Sequence, residues 1–382
     1  MIQYQGIAKN IEKSVLGKIT KNKLGYLNRK DRILVIEKIP KRVWGYKGVV
    51  TTKTNGKINT YTKVPLVSGI DFQDLNNLKD GDIVLLEPNG IVNILWDINS
   101  SHNSILATEE CNCMCIMCPQ PHHKDNEGLF EFNMKLLSLL EPNKINHIGI
   151  TGGEPTLIGD NLFSLIKLCR DRFPNASLTL LTNGINFKDI EYARKLAAIN
   201  HPDLQICVSL YADTDSVNDL ILGKKGSFYE TIKGLQNLAL FRQKIEIRTV
   251  VHALNYKRLL HFADIIYHNF PFVVHVAFMG MEVIGLASKN LKRVWIDPKE
   301  YISQLKEAVV YLDRRAINVS IYNLQLCILP EELWKFSKQS ISTWKKTFIN
   351  QCLACDFQDE CGGFFATSKG QHSNFIKPLK RY

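Results

Sequence analysis

No stretch of this sequence stays apolar for the roughly 18 residues that a membrane span requires. The first residues, MIQYQGIAKNIEKSVLGK, mix charge with hydrophobics and lack the apolar centre of a secretion signal. No internal repeat or low-complexity segment stands out, so nothing suggests an array or a linker-rich chain. These absences predict a cytoplasmic protein that is not bound to a membrane. An apolar fraction of 45% excludes disorder as the ground state. A length of 382 residues exceeds one ordinary domain and accommodates two or three.

Cysteine and positive charge are what the chain has in plenty. A reducing cytosol disfavours a disulfide framework, so ten cysteines point to metal or redox chemistry. Four lie between Cys111 and Cys118 and four between Cys327 and Cys361. Cys169 and Cys207 stand alone in the apolar runs LIKLC and LQICVSL, as buried thiols do. The formal charge is +11, and residues 1–80 hold 16 Lys/Arg against 6 Asp/Glu, a net of +10. A basic module of this kind attracts an acidic partner such as nucleic acid, an acidic peptide or a protein; otherwise it is a solvated surface.

Residues 1–100 read as a small β-rich domain. The runs ILVIEK, KGVVTTKT, INTYTKVPLV and DIVLLEPNGIVNILW are β-branched, with turn signals at Thr54-Asn55-Gly56 and Pro88-Asn89-Gly90. From about residue 104 strands alternate with helices. Strands are expected at 105–109, 146–151, 177–182, 204–210, 244–251 and 272–278, and helices near 133–141, 160–172, 188–199, 229–241, 256–269 and 298–315. That alternation predicts an α/β fold with a parallel sheet, whose six strand–helix units suit a partial version of the eight-unit barrel. The expected division is 1–100, 101–296 and a Cys-bearing region 297–382.

Thr108-Glu-Glu-Cys111-Asn-Cys113-Met-Cys115-Ile-Met-Cys118-Pro follows the first of these strands. Read as Cys111-x3-Cys115-x2-Cys118, it offers three soft thiolates on one loop, the ligands of iron–sulfur clusters. Three ligands leave one corner of a four-iron cluster open, and an open position is the reactive one in catalytic metal sites. Structural zinc on all four cysteines is the alternative, although such sites usually draw on separated pairs. Cys113 reads as a bystander.

The Cys-x3-Cys-x2-Cys loop resembles the signature of the radical S-adenosylmethionine (SAM) superfamily, and other marks of that family follow in order. Thr151-Gly152-Gly153-Glu154-Pro155-Thr156 is similar to the segment that holds the SAM amino group, glycines allowing close approach and a carboxylate pairing with an ammonium. Leu181-Thr182-Asn183-Gly184 and Ser209 resemble further SAM contacts, and residues 217–232 resemble the helical segment that follows. Arg248 would grip the SAM carboxylate in a two-bond fork. Met279-Gly280-Met281-Glu282-Val283-Ile284-Gly285 resembles the segment lining the adenine. Met117 stands where the family usually has an aromatic; its thioether can pack on adenine. The resemblance covers about residues 104–290. It implies a [4Fe–4S] cluster with SAM on the open iron, cleavage of SAM to methionine and a 5′-deoxyadenosyl radical, and an electron donor such as flavodoxin or ferredoxin. No catalytic residue beyond the cluster ligands is assigned.

Cys352-x2-Cys355-x5-Cys361-Gly-Gly-Phe-Phe, with Cys327 upstream, looks like a shortened auxiliary-cluster domain of SPASM or twitch type. The full pattern expects a cysteine where Phe365 stands, so one auxiliary [4Fe–4S] cluster on Cys327, Cys352, Cys355 and Cys361 is expected. A closed zinc site is the alternative. As a whole the chain resembles the HxsC-type maturases of His-Xaa-Ser systems. Its implied partners are a peptide or protein with His-Xaa-Ser repeats and a second radical SAM protein. A tRNA-modifying radical SAM enzyme and a non-catalytic iron–sulfur scaffold are the competing readings.

Overall fold

A computed structural model of the chain describes residues 2–37, 39, 42–52, 63–120, 128–342, 344–368 and 370–381. It clusters into two compact units, Met1–Ser104 with Glu131–His147, and Ile105–Phe130 with Ile148–Tyr382.

The first unit is built on eight strands: β1 (Ile2–Gln5), β2 (Ile7–Lys9), β3 (Val15–Thr20), β4 (Arg32–Val35), β5 (Gly48–Thr52), β6 (Leu66–Ile70), β7 (Ile83–Leu86) and β8 (Ile91–Trp96). Their order is β1-β8-β7-β3-β4-β5-β6-β2. A single residue, Gly6, separates β1 from β2, yet these strands pair with β8 and β6 at opposite ends of that order. The two ends of the sheet therefore meet, and the sheet closes on itself. Only glycine fits at that corner, because a Cβ on Gly6 would lie 2.6 Å from the Ser68 carbonyl oxygen. Pro88-Asn89-Gly90 turns the β7–β8 hairpin as expected, whereas residues 53–62, including the turn at Thr54-Asn55-Gly56, lie outside the described residues. Ile19, Ile33, Val50, Val67, Val84 and Val92 are fully buried inside, each contributing about 1.5–3 kcal/mol of apolar transfer.

The α1 helix (Phe72–Asn77) and most of α2 (Leu129–Leu139) also belong to this unit. Just beyond α2, Glu141 pairs with the buried ammonium of Lys18 and with Lys144 at 2.8 Å. Burial lowers the Lys18 pKa, while Lys144 and Lys18 hold the Glu141 carboxyl down at about 2.

In the second unit the sheet order is β16-β15-β14-β13-β12-β11-β10-β9. The strands are β9 (Ser104–Leu106), β10 (His147–Thr151), β11 (Ser177–Thr182), β12 (Leu204–Ser209), β13 (Lys244–Val250), β14 (Val273–Met279), β15 (Asn318–Tyr322) and β16 (Ser337–Lys338). Pairs from β11 to β16 are parallel. The crossovers carry α3 (Asp160–Arg172), α4 (Ile190–Ala198), α5 (Asp215–Leu222), α6 (Ser227–Leu240), α7 (Leu259–Asn269), α8 (Gly285–Lys289), α9 (Leu291–Val294) and α10 (Pro298–Asp313). The α/β class and all six expected strands are present. Residues 297–382 cluster with the rest of this unit and add β15 and β16 to the same sheet. Beyond it, β17 (Lys346–Thr347) and β18 (Phe364–Phe365) form a small antiparallel ladder.

The Lys18–Glu141 pair yields a stability prediction. Glu141 has its folded pKa depressed from 4.5 to about 2, so its contribution is complete above pH 4.5 and is lost as pH falls toward 2. Glu141→Gln should cost about 1–2 kcal/mol, less than the roughly 3–5 kcal/mol of a fully buried pair because Glu141 is 41% exposed. Denaturant melts at pH 7 should show that loss, and the acid limb between pH 4.5 and 2 should flatten.

Candidate functional site

The Cys111–Cys118 loop leaves β9 and is pinned from outside. Met114 and Ile116 donate their backbone N–H groups to the carbonyls of Leu222 and Ile221, both at 2.9 Å. Leu286 N–H reaches the Cys118 carbonyl at 2.8 Å, and Asn290 Nδ2 the Ile116 carbonyl at 2.9 Å. The end of α5 must come very close: Gly223 has φ +64° and a Cβ there would lie 2.6 Å from the Met114 oxygen. Cys111, Cys115 and Cys118, together with Cys113, thereby line one cavity of about 210 Å³, shared with Met117, Gly152, Gly153, Asn183, Ser209 and Tyr211. Burial pushes Cys115 up to about 12 and Cys118 upward as well. Buried thiols of this kind become thiolates when a cationic group supplies the compensating charge. Cys113 is buried, and its thiol leans on Cys111, which lowers the Cys111 pKa and raises its own.

The Gly152-Gly153-Glu154-Pro155 turn has a different internal logic from the one expected. A Cβ on Gly152 would lie 2.4 Å from the Thr108 oxygen, and one on Gly153 2.1 Å from the Glu110 oxygen. The glycines therefore let this turn touch the cysteine loop, and two hydrogen bonds close the contact: Gly153 N–H to Thr108 at 2.8 Å and Glu154 N–H to Glu110 at 2.7 Å. The Glu154 side chain points into the protein and is fully buried. Its Oε1 accepts from Thr156 N (3.1 Å), Thr156 Oγ1 (2.6 Å) and Thr182 Oγ1 (2.7 Å), and its Oε2 from Asn183 N (2.7 Å). Burial raises its pKa, opposed by those donors. The carboxylate is engaged by the protein and does not line the cavity, so an ammonium arriving there meets backbone. Pro155 is buried in the following turn.

Asn183 ties the end of β11 to the cysteine loop, donating to Asn112 Oδ1 at 2.7 Å. Ser209, at the end of β12, lines the cavity as expected, with Tyr211 two residues on. Tyr211 did not stand out in the sequence; its place just past the end of β12 was the available signal. Asn218, from the segment expected to follow, accepts from Tyr211 N at 3.0 Å, and Asp219 caps α6 through Phe228 N (2.9 Å) and Ser227 Oγ (2.7 Å).

Arg248 lies beside the cavity's lining and is engaged within the protein. It is the neighbour of Ser209 in register, but its Nε donates to Glu246 and it does not line the cavity. Glu246 also contacts Gln205 and His275 (2.7 Å), and His275 reaches Ser320 at 2.9 Å. Burial pushes the Glu246 carboxyl up, but His275 and Arg248 more than offset this and hold it below its usual range.

Gly280, Met281 and Glu282 line a second cavity of about 260 Å³, which shares Met117, Pro119 and Val250 with the first. Glu282 is also tied elsewhere: Lys345 donates to both its oxygens (3.1 and 3.2 Å) and Thr367 Oγ1 to one (2.6 Å).

Cys327, Cys352, Cys355 and Cys361 line a common cavity walled by Phe348, Phe357 and Phe364. Gly363 N–H points at Cys361 Sγ (3.5 Å) and Leu379 N–H at Cys355 Sγ (3.4 Å), as donors around cluster sulfurs do. Among the described residues no group of three or more His, Cys, Asp or Glu side chains is gathered closely enough to hold a single metal ion. Both cysteine sets, all-thiol and distributed around a cavity, fit a multi-iron cluster that offers separate corners to separate sulfurs.

A model of the Radical SAM superfamily matches residues 105–266, so this stretch is a radical SAM domain. The GTP 3′,8-cyclase of Nautilia profundicola is 31% identical over 161 residues, 38% of this chain and 46% of that protein. A probable GTP 3′,8-cyclase of Saccharolobus islandicus is 29% identical over 164 residues, 42% of this chain and 51% of its own. The chain spans about half the length of these curated relatives. Among solved structures, Streptococcus suis SuiB bound to S-adenosylmethionine superposes with a TM-score of 0.45 at 16% identity, over 59% of this chain and 50% of that one. Native anSMEcpe with bound AdoMet gives 0.41 at 18% identity, over 57% and 62%. No helix among the described residues is long and apolar enough to cross a membrane.

Gly153→Ala should push the turn off the cysteine loop and cost about 2–4 kcal/mol, because the atom it meets is backbone. Iron bound per chain after anaerobic reconstitution should fall at least severalfold. Iron loading equal to wild type would show that this contact does not position the cysteines.

Proposed function

We propose that the chain is a radical SAM enzyme that modifies a peptide or protein, with a catalytic [4Fe–4S] cluster on Cys111, Cys115 and Cys118. The observation that carries this reading is the single cavity that joins those three thiols to Gly152, Gly153, Asn183 and Ser209. When bound, cluster and SAM supply reductive cleavage of the sulfonium to methionine and a 5′-deoxyadenosyl radical that takes hydrogen from a substrate. The chain's part is to bind and exclude water. Backbone carbonyls of the 151–153 segment receive the amino group, Asn183 and Ser209 offer polar contacts to carboxylate or ribose, and Met117, Tyr211 and Val250 wall off solvent. Glu154 positions the turn. The set Cys327, Cys352, Cys355 and Cys361 would hold one auxiliary cluster; with four ligands it is coordinatively full, which suits electron transfer rather than substrate binding. The reading as a His-Xaa-Ser system maturase, working beside a second radical SAM protein and an electron donor such as flavodoxin or ferredoxin, rests on the sequence resemblance.

A second reading, a GTP-directed reaction, is favoured by the names of the curated relatives. The lining of the two adjoining cavities counts against it. Among the described residues their one cationic side chain is Lys345, already paired with Glu282, while a triphosphate carries several negative charges.

Reconstituted wild type should carry about eight irons per chain and yield 5′-deoxyadenosine under strong reductant. Alanine at Cys111, Cys115 and Cys118 together should abolish that product. Alanine at Cys355 and Cys361 should remove about four irons while SAM cleavage persists and substrate turnover fails. Absence of 5′-deoxyadenosine from cluster-loaded wild type would overturn the reading. Stimulation of SAM cleavage by GTP, and not by a His-Xaa-Ser peptide, would select the second one.

A further inference from the structure

Two loops of the first unit carry large apolar side chains that the fold does not bury. Tyr26 is 64% exposed, Leu27 89% and Trp44 66%. Their display is built rather than frayed. Arg29 holds the loops together, donating through Nε to the Leu24 carbonyl (2.9 Å) and through Nη1 to the Trp44 carbonyl (2.7 Å), and its guanidinium stacks 4.7 Å from the ring centre of Tyr46. Tyr46 in turn accepts from Leu24 N at 2.7 Å through its hydroxyl. Tyr26 lies against Gly45, where a Cβ would sit 3.0 Å from its ring. Around this trio Lys23, Lys30, Arg42 and Lys47 are exposed. The one carboxylate in segments 21–31 and 42–47, Asp31, faces Lys135 at 3.3 Å.

We propose that this patch, Tyr26, Leu27 and Trp44 within a ring of Lys23, Lys30, Arg42 and Lys47, is a docking surface for an acidic peptide segment in which carboxylates flank apolar side chains. Exposed Trp and Tyr are the residues that anchor protein contacts, and an uncompensated positive rim selects a negative partner. The details fit a peptide better than a nucleic acid. Arg29, the residue here best suited to grip a phosphate or stack on a base, is consumed inside the loops. The most exposed apolar group, Leu27, adds contact area for aliphatic side chains but no stacking surface for bases. The rim is mainly lysine, which meets carboxylates as a point charge. The proposal stands on the first unit alone and does not depend on the radical reading.

The test uses the full chain and a fluorescein-labelled twelve-residue peptide alternating Glu and Leu, followed by anisotropy. Saturable binding is expected, weakened at least about tenfold in a Leu27→Ala/Trp44→Ala variant and by a similar factor in Lys23→Glu/Lys30→Glu. Both variants change exposed side chains only, so their melting temperatures should match wild type. A twelve-nucleotide U oligonucleotide and phosphatidylserine vesicles serve as rivals. Tighter binding of either rival than of the peptide, or peptide binding unaltered in both variants, would overturn the proposal.

Discussion

The second unit is organised around one buried carboxylate. Taking Glu154 out of water is expensive unless its lone pairs are met, and four donors from two segments meet them. Because Thr182 and Asn183 end β11 and Thr156 follows the turn, this charge fixes the spacing between two strand ends. From there the constraint passes outward. The glycine turn can only lie on the cysteine loop in the position Glu154 allows, and Asn183, oriented by the same carboxylate, reaches Asn112 on that loop. The geometry of the cysteine loop is thus set from beneath, by a side chain that touches none of its thiols.

This explains which parts of the site were legible in the sequence. The strands 146–151, 177–182, 204–210 and 244–251 are apolar runs between helical segments, and period and composition suffice to place them. The Cys, Gly, Asn and Ser positions fall at strand ends because a parallel sheet gathers its functional loops there. Orientation was not legible. Glu154 and Arg248 carry charge in motifs that suggest a ligand, yet each is satisfied internally, and nothing in a linear sequence says which way a buried charge turns. Gly152 and Gly153 were read as making room for a cofactor; they line the cavity and also make room for Thr108 and Glu110, more than forty residues away in sequence and in contact in space. β15 and β16 were missed as part of the sheet because β16 is two residues long and the cysteines around it drew the reading toward a separate tail.

The two cysteine sets differ in a way that bears on their roles. The first presents four thiols, Cys113 among them, to a cavity that shares Met117, Pro119 and Val250 with a second. The second is closed by four thiols and three phenylalanines, with backbone N–H groups directed at two of its sulfurs. Hydrogen bonds to sulfur and exclusion of solvent are the levers by which a protein sets a cluster's potential.

A polar cluster that crosses the second unit's sheet follows the same economy of charge. Arg248, Glu246, His275, Gln205 and Ser320 come from four neighbouring strands, β12 to β15, and their register places them in adjacent rows. A half-satisfied network there would cost more than an apolar core, and this one is connected across every strand pair it spans. Its presence makes β15 necessary. Without Ser320 the far nitrogen of His275 would lose its partner, and the ring that offsets the burial of Glu246 would lose its orientation. The strand contributed by the C-terminal region is therefore part of the polar network that crosses the sheet, while the cysteines of residues 297–382 line a cavity of their own.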